Sequence, residues 1–278
     1  MRISLCNEVV REMDFAAQCK YTADLGYQGL EIAPFTLSDN PHLLEAKTRS
    51  ELRRIAESEG LQITGLHWLL LAPQGLSVTS EDDAIRKKTL DVMRGLVELC
   101  ADLGGKVLVH GSPKQRMVEN ETEREEAIRR AQELFASVAE AAEQSNVVYC
   151  IEALNKEETN FINSIGESVE LVRQIGNPAF RTMLDTKAAL ITETDSVPTL
   201  LDRWLPSGLI AHIHVNDSNL RAPGQGEDRF SSVFSCLLRN EYKGVVGVEP
   251  FDYFPDGKAA AARAIGYIQG ILESLRCS

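Results

Sequence analysis

Six consecutive apolar segments of this sequence each end in a histidine, a glutamate or an aspartate. In chain order the segment ends read GLHW, VLVHG, YCIEALN, TMLDT, HIHVND and GVEPFD. Ionisable side chains are costly inside a protein core unless they are paired or bound to a metal. The repeated placement of such residues therefore predicts one shared functional site rather than six isolated buried groups.

Alternation along a β-strand predicts which of these side chains share a face. The apolar Ala211, Ile213 and Val215 would face one side and His212 and His214 the other. The same rule turns one acidic residue of each neighbouring segment toward His214, and these residues are Glu152, Asp185 and Glu249. Three carboxylates and an imidazole suit one divalent ion, with Mn²⁺ preferred and Mg²⁺, Co²⁺ or Zn²⁺ as alternatives. We expect His212 to be a buried, hydrogen-bonded histidine that supports these ligands.

The elements that would position these residues alternate between helix and strand. Amphipathic stretches end at Gly26, Gly60, Gly104 and Gly176, and a short apolar run follows each of them. Eight strands are predicted near residues 2–6, 28–33, 62–68, 106–110, 147–154, 180–185, 209–216 and 244–250. Eight parallel strands joined by helices can close into an α/β (β/α)8 TIM barrel, whose active site lies at the carboxyl ends of the strands. An open doubly wound sheet is the alternative, but no GxGxxG motif follows the first strand.

Length and charge narrow the class of protein further. A chain of 278 residues suits a single barrel domain, which we place at residues 1–278. The formal net charge of −12 disfavours nucleic acids and anionic membranes as partners. The six cysteines form no close pair and no apolar run approaches membrane-spanning length, so we expect a cytoplasmic protein.

Several of these motifs resemble one known family. The stretches IEALNKEETNFINS, MLDT, HIHVNDSNLRAPGQG and GVEPFD are similar to those of the sugar phosphate isomerase/epimerase family, the xylose isomerase-like TIM barrels. The nearest pattern is that of the ketose 3-epimerase branch. This resemblance implies that Glu152, Asp185, His214 and Glu249 bind the metal and that Glu152 and Glu249 also act as acid and base. It also implies that Glu158 hydrogen-bonds the sugar.

Other residues near the segment ends are candidate substrate contacts. They are His67, Trp68, His110, Lys187, Arg221 and Arg229. The chain departs from the family pattern at Ala188, where a histidine is usual, and at Leu220, where an arginine is usual. It also carries Arg229 where an acidic residue is usual. Together, Lys187, Arg221 and Arg229 would add positive charge near the site and suggest a carboxylate or phosphate on the substrate.

Three functions remain open at this stage. The first is a metal-dependent sugar isomerase or epimerase that moves a proton beside a carbonyl group through a metal-stabilised enediolate. The second is a dehydratase of a cyclic hydroxy-ketone, such as 3-dehydroshikimate or an inosose, on the same metal site. The third is a barrel that binds a small molecule without catalysis. In each case we expect a small sugar-like ligand and a homo-oligomer, either dimer or tetramer.

Overall fold

Eight parallel strands close into a barrel in which each strand pairs with its neighbours in chain order. The computed structural model describes residues 1–277. The strands are β1 (Arg2–Cys6), β2 (Gly29–Ile32), β3 (Gln62–Leu66), β4 (Val107–His110), β5 (Val148–Glu152), β6 (Phe180–Asp185), β7 (Ile210–Val215) and β8 (Val245–Val248). All eight predicted strands overlap these segments, which confirms the predicted (β/α)8 barrel and excludes the open sheet.

Helices follow every strand and cover the outside of the barrel. They are α1 (Phe15–Asp24), α2 (Ala46–Ser58), α3 (Asp83–Asp102), α4 (Arg124–Gln144), α5 (Ile165–Ile175), α6 (Thr186–Thr192), α7 (Val197–Trp204), α8 (Phe230–Arg239) and α9 (Gly257–Arg276). Gly176 ends α5 at a φ of +68°, the left-handed conformation that glycine adopts without steric cost. The strand after it begins within a few residues, as the glycine junctions predict.

The interior of the barrel separates into an apolar floor and a polar mouth. Val109, Cys150 and Met183 form a small buried cluster that is distinct from the main core between strands and helices. Two residues further along β5 and β6, on the same face of each strand, come Glu152 and Asp185. The acidic residues therefore lie one layer above the apolar floor.

A bulge on β7 corrects one detail of the predicted alternation. Thr182 pairs with Ile210 and Met183 pairs with His212, so Ala211 has no partner of its own on β6. Ala211 packs against the apolar floor instead of facing the helices as predicted. Because Ala211 is an extra residue in the strand, Ala211 and His212 can both face the barrel interior. The inward alternation then continues at His214.

No helix among residues 1–277 is both long enough and apolar enough to cross a membrane.

Candidate metal centre and pocket

The four predicted metal ligands meet at the carboxyl end of the barrel. Glu152 and Asp185 end β5 and β6, His214 lies on β7, and Glu249 directly follows β8. One potential ligand atom from each residue lies within 4.8 Å of the other three. All four side chains are buried, so the atoms face one another rather than solvent. This geometry could hold one metal ion.

Mutual repulsion among the carboxyl groups indicates that the cluster would be stabilised by a cation. Burial and the nearby charge of Glu249 raise the pKa of Asp185 to about 6. Burial and the same neighbour raise the pKa of Glu152 well above its usual range. A divalent ion would favour the ionised form of each group, so this donor set fits such an ion.

His214 directs one ring nitrogen into the cluster because Glu31 holds the other. The Glu31 carboxylate on β2 accepts hydrogen bonds from Nε2 of His212 at 2.9 Å and from Nε2 of His214 at 3.0 Å. His214 Nδ1 faces into the cluster and lies 2.9 Å from Glu249 Oε2. A carboxylate behind an imidazole fixes the tautomer and the ring orientation for metal binding.

Burial alone would raise the pKa of Glu31, but the two histidines hold it well below its usual range. The buried carboxylate is thus stabilised as an anion by His212 and His214. His212 has the supporting position that we expected, since it contacts Glu31 and is absent from the groups of side chains that could hold an ion among residues 1–277.

Asn216 positions Asp185 from the end of β7. Its Nδ2 donates to Asp185 Oδ2 at 2.7 Å and to the Glu249 carbonyl at 3.0 Å. Its Oδ1 accepts from the backbone N–H of Lys187 at 2.9 Å. The other Asp185 oxygen caps α6 by accepting from the Ala188 N–H at 2.7 Å. The aspartate side chain is therefore fixed from both sides.

Two other groups of ligating side chains overlap the predicted one. They consist of Cys6, Glu8, His67 and Glu249, and of Cys6, Glu31 and His214. His67 Nε2 lies 2.8 Å from Glu8 Oε2, so these two side chains already form a hydrogen bond. Glu31 likewise binds its two histidines. The four predicted ligands are the group without the Cys6 thiol, whose pKa is raised well above its usual range by burial.

A pocket opens beside the four predicted ligands. Trp68 and Phe251 line it as aromatic walls, with their ring centroids 6.3 Å apart. His67, Glu158 and Lys187 line it as well. Four predicted substrate contacts, His67, Trp68, Glu158 and Lys187, are thereby brought next to the predicted metal ligands.

His110 lies on the opposite face of its strand and does not reach this pocket. Its Nδ1 lies 2.7 Å from the Tyr149 hydroxyl, and its ring packs edge-on against Phe135 of α4. Burial and the nearby Arg116 lower the pKa of His110 to about 3, so the imidazole is neutral. The expected substrate contact does not fit this position, because alternation on β4 turns Val109 inward and His110 toward the helices.

The two predicted arginines are also directed elsewhere. Arg221 Nε donates to Asp252 Oδ2 at 2.8 Å, and its guanidinium lies 4.4 Å from the centre of the Phe254 ring. Arg229 precedes α8 and lines a separate groove beside Phe230. Neither is among the described residues that line the pocket. The sequence placed both near the mouth, but it could not show the direction of a long side chain leaving a loop.

Sequence reasoning missed the residues contributed by the first two strands. Glu8 follows β1 by two residues, and Glu31 lies on β2. The rule applied to the other six segments, an ionisable residue at the carboxyl end of a strand, would have found both. A third missed residue, Arg116, is fully buried and donates from Nη1 to the Glu152 carbonyl at 2.6 Å. It ends a single 3-10 turn over Pro113–Arg116, which is too short to give a periodic signal.

Comparisons with known proteins agree with this architecture. The sequence profile of the family described as xylose isomerase-like TIM barrel matches residues 19–271. A D-psicose 3-epimerase from Ruminiclostridium cellulolyticum is 29% identical over 246 residues, covering 86% of this chain and 79% of that protein. A probable ketose 3-epimerase from Synechocystis sp. is 24% identical over 248 residues, covering 86% and 79%. A crystal structure of D-psicose 3-epimerase in the presence of D-fructose has a TM-score of 0.82 at 20% identity, covering 98% of this chain and 99% of that one.

Proposed function

Because this chain belongs to the xylose isomerase-like TIM barrel family, we propose that it is a divalent-metal-dependent sugar epimerase. The reaction would invert the carbon beside the carbonyl group of a ketose or a ketose derivative. The observation that carries the proposal is the meeting of Glu152 and Glu249 with Asp185 and His214 at one end of a pocket. The ketose 3-epimerases among its relatives favour epimerisation over the other reactions considered.

Glu152, Asp185, His214 and Glu249 would hold the ion. A divalent cation, when bound, supplies stabilisation for negative charge that develops on the substrate oxygens. The protein supplies a site in which Glu31 and Asn216 fix the orientation of two of these ligands. Mn²⁺ is the ion we propose, since three carboxylates and one imidazole form a largely hard donor set.

Two glutamates from separate strands supply the acid and the base. One carboxylate takes the proton from the carbon beside the carbonyl, and the electron pair of that C–H bond moves toward the carbonyl oxygen to give an enediolate. The second glutamate, in its protonated form, then gives a proton to the opposite face of the same carbon. Glu152 ends β5 and Glu249 follows β8, so the substrate can lie between them.

The remaining pocket residues would orient the sugar. Trp68 and Phe251 offer apolar surfaces to the C–H faces of the substrate and exclude water from the reacting carbon. Glu158 would accept a hydrogen bond from a hydroxyl group. Lys187 and His67 would donate hydrogen bonds to further oxygens.

The test is deuterium exchange on a panel of ketoses with Mn²⁺-loaded protein in D₂O. NMR should show deuterium at the carbon beside the carbonyl, together with the epimeric ketose. Glu152→Gln and Glu249→Gln should each lose epimer formation, because inversion needs a proton carrier on each face of the carbon. Asp185→Asn serves as comparison, since it removes a ligand but neither glutamate.

Metal content of every variant is measured alongside, because both glutamates are also proposed ligands. A metal-loaded Glu152→Gln, Glu249→Gln double variant that turns over at the wild-type rate would remove these residues from the mechanism. Loss of water from the substrate without epimer formation would instead identify a dehydratase.

A further inference from the structure

Lys187 is the single lysine or arginine among the described residues that line the pocket. Its side chain is 5% exposed, and its Nζ lies 5.0 Å from the centre of the Phe251 ring. A buried ammonium group in a substrate pocket would normally mark the place where an anionic group binds. Whether Lys187 has that role depends on what already neutralises it.

Glu158 is the partner that neutralises Lys187. Lys187 Nζ donates to Glu158 Oε1 at 2.8 Å. The second carboxylate oxygen, Oε2, accepts from Asn155 Nδ2 at 2.6 Å, and the Glu158 backbone N–H donates to Asn155 Oδ1 at 3.0 Å. The carboxylate is therefore held beside the ammonium by contacts from its own loop. An incoming anion would have to displace a fixed intramolecular partner.

The charges around the pocket also oppose an anionic substrate. Four carboxylates line the pocket, those of Glu152, Glu158, Asp185 and Glu249, against the one ammonium of Lys187. With a divalent ion bound, these lining groups carry no excess positive charge, whether or not one of the two glutamates is protonated. Arg116 is buried behind Glu152 and is not among the described residues that line the pocket. A phosphate or carboxylate would thus enter a site with no excess positive charge.

We propose that Glu158 and Lys187 form a neutral pair that selects an uncharged polyhydroxy substrate and excludes phosphorylated or carboxylated ones. This inference rests on the proposed function, because it concerns the substrate of the same site. A hydroxyl group can use both partners, since it donates to a Glu158 oxygen and accepts from a remaining Lys187 N–H. The pair replaces the earlier expectation that Lys187, Arg221 and Arg229 together would attract an anion.

The test is a change of charge at position 158 that leaves the shape almost unaltered. Glu158→Gln frees the Lys187 ammonium to bind an anion. The probes are D-fructose, D-fructose 1-phosphate and D-fructose 6-phosphate, titrated calorimetrically into Mn²⁺-loaded protein. The wild type should bind D-fructose better than either phosphate. In Glu158→Gln the affinity for at least one phosphate, relative to D-fructose, should rise about 10- to 100-fold, as expected for a new charge-assisted hydrogen bond.

Glu157→Gln is the matched control, because it makes the same change at the exposed neighbouring residue. It should leave the ratio of the affinities unchanged, which excludes a general effect of protein charge. Lys187→Met in the Glu158→Gln background should abolish the gain in phosphate affinity. That result would assign the gain to the ammonium group rather than to the metal ion.

Two results would overturn the inference. One is a wild-type protein that binds a fructose phosphate as tightly as D-fructose, and the other is an unchanged ratio in Glu158→Gln. If none of the sugars binds, inorganic phosphate becomes the probe, and its binding is followed by tryptophan fluorescence, to which the pocket residue Trp68 contributes. Tighter phosphate binding by Glu158→Gln than by the Glu157→Gln control supports the pair, and equal binding refutes it. Failure of the proposed function would appear separately, as absence of deuterium exchange on every ketose.

Discussion

One carboxylate, that of Glu31, orients both histidines of β7. It accepts a hydrogen bond from each of His212 and His214, although only His214 faces the other ligands. The two histidines are two residues apart on β7, so they share a face but lie at different depths. Their spacing in sequence therefore fits one proposed ligand and one supporting residue rather than two ligands.

Variants at these positions should differ in metal affinity in a definite order. His214→Ala removes a ligand and should abolish tight Mn²⁺ binding. Glu31→Gln and His212→Ala leave all four ligands in place but loosen the orientation of the imidazole, so each should weaken binding about 10- to 100-fold. Calorimetric Mn²⁺ titration of the three purified variants measures this order. A greater loss in His212→Ala than in His214→Ala would show that the assignment of the ligand is wrong.

Sequence reasoning predicted which four residues meet at the mouth of the barrel, but not all of the residues that surround them. Glu152, Asp185, His214 and Glu249 could be predicted because strand alternation fixes the face of a residue once the strand is known. The same principle did not place Arg221, whose position depends on a loop conformation and on a contact with Asp252. Long-range partners such as Glu31 and His212, 181 residues apart, have no local sequence signal.

At the scale of the elements, close approach between strands β7, β2 and β8 makes one glycine necessary. A Cβ atom on Gly247 of β8 would lie 2.8 Å from His214 Cδ2 and 2.9 Å from Glu31 Oε2. Both neighbours are buried side chains that are already fixed by their mutual hydrogen bond. The absence of a side chain at Gly247 therefore leaves the space in which His214 and Glu31 meet.

Gly247→Ala should lower both stability and metal affinity. The added methyl group must displace His214 or Glu31, and overpacking of a core costs about 1–3 kcal/mol. Gly266→Ala is the control, because an added Cβ there meets no atom within 4 Å and the residue lies in α9. That control should stabilise the protein by about 0.5–1 kcal/mol through helix propensity. Urea denaturation and Mn²⁺ titration of both variants check this, and equal effects of the two changes would contradict it.

The elements themselves were predictable because two signals agreed along the chain. Glycine-terminated amphipathic stretches alternated with short apolar runs, and each run proved to be a strand of the barrel. The bulge at Ala211 was not predictable, since an extra residue in a strand changes pairing without changing composition. The outward position of His110 could have been predicted from alternation, because it follows the inward Val109 on the same strand.

At the scale of the whole molecule, the barrel collects buried acidic groups at one end, and metal-free protein must accommodate their repulsion. The pKa of Asp185 is raised from 3.8 to about 6. A carboxyl group with a raised pKa stabilises the fold while it is protonated, and this stabilisation is lost as the pH rises through the folded pKa. The contribution of this one group is on the order of 3 kcal/mol between about pH 4 and pH 7.

Metal-free wild-type protein should therefore lose stability relative to Asp185→Asn as the pH rises from 4 to 7. The asparagine cannot ionise, so the variant lacks this part of the pH dependence. Urea midpoints of the two metal-free proteins at several pH values measure the difference. Parallel pH profiles would show that Asp185 does not titrate in this range in the folded protein.

Binding of one divalent ion should reverse that loss, because the ion interacts with the folded cluster and not with the dispersed residues of the unfolded chain. A ligand at 100 times its dissociation constant stabilises a protein by about 2.7 kcal/mol. Mn²⁺ added to metal-free protein at pH 7 should accordingly raise the unfolding temperature, and chelation should lower it again. Asp185→Asn and His214→Ala should show little or no shift, whereas the exposed control Glu157→Gln should shift like the wild type.

Elemental analysis of the loaded protein should give one ion per chain, since the other two groups of ligating side chains share Glu249 or His214 with the first. Two or more tightly held ions per chain, or an equal thermal shift in His214→Ala, would contradict a single centre built on these four residues.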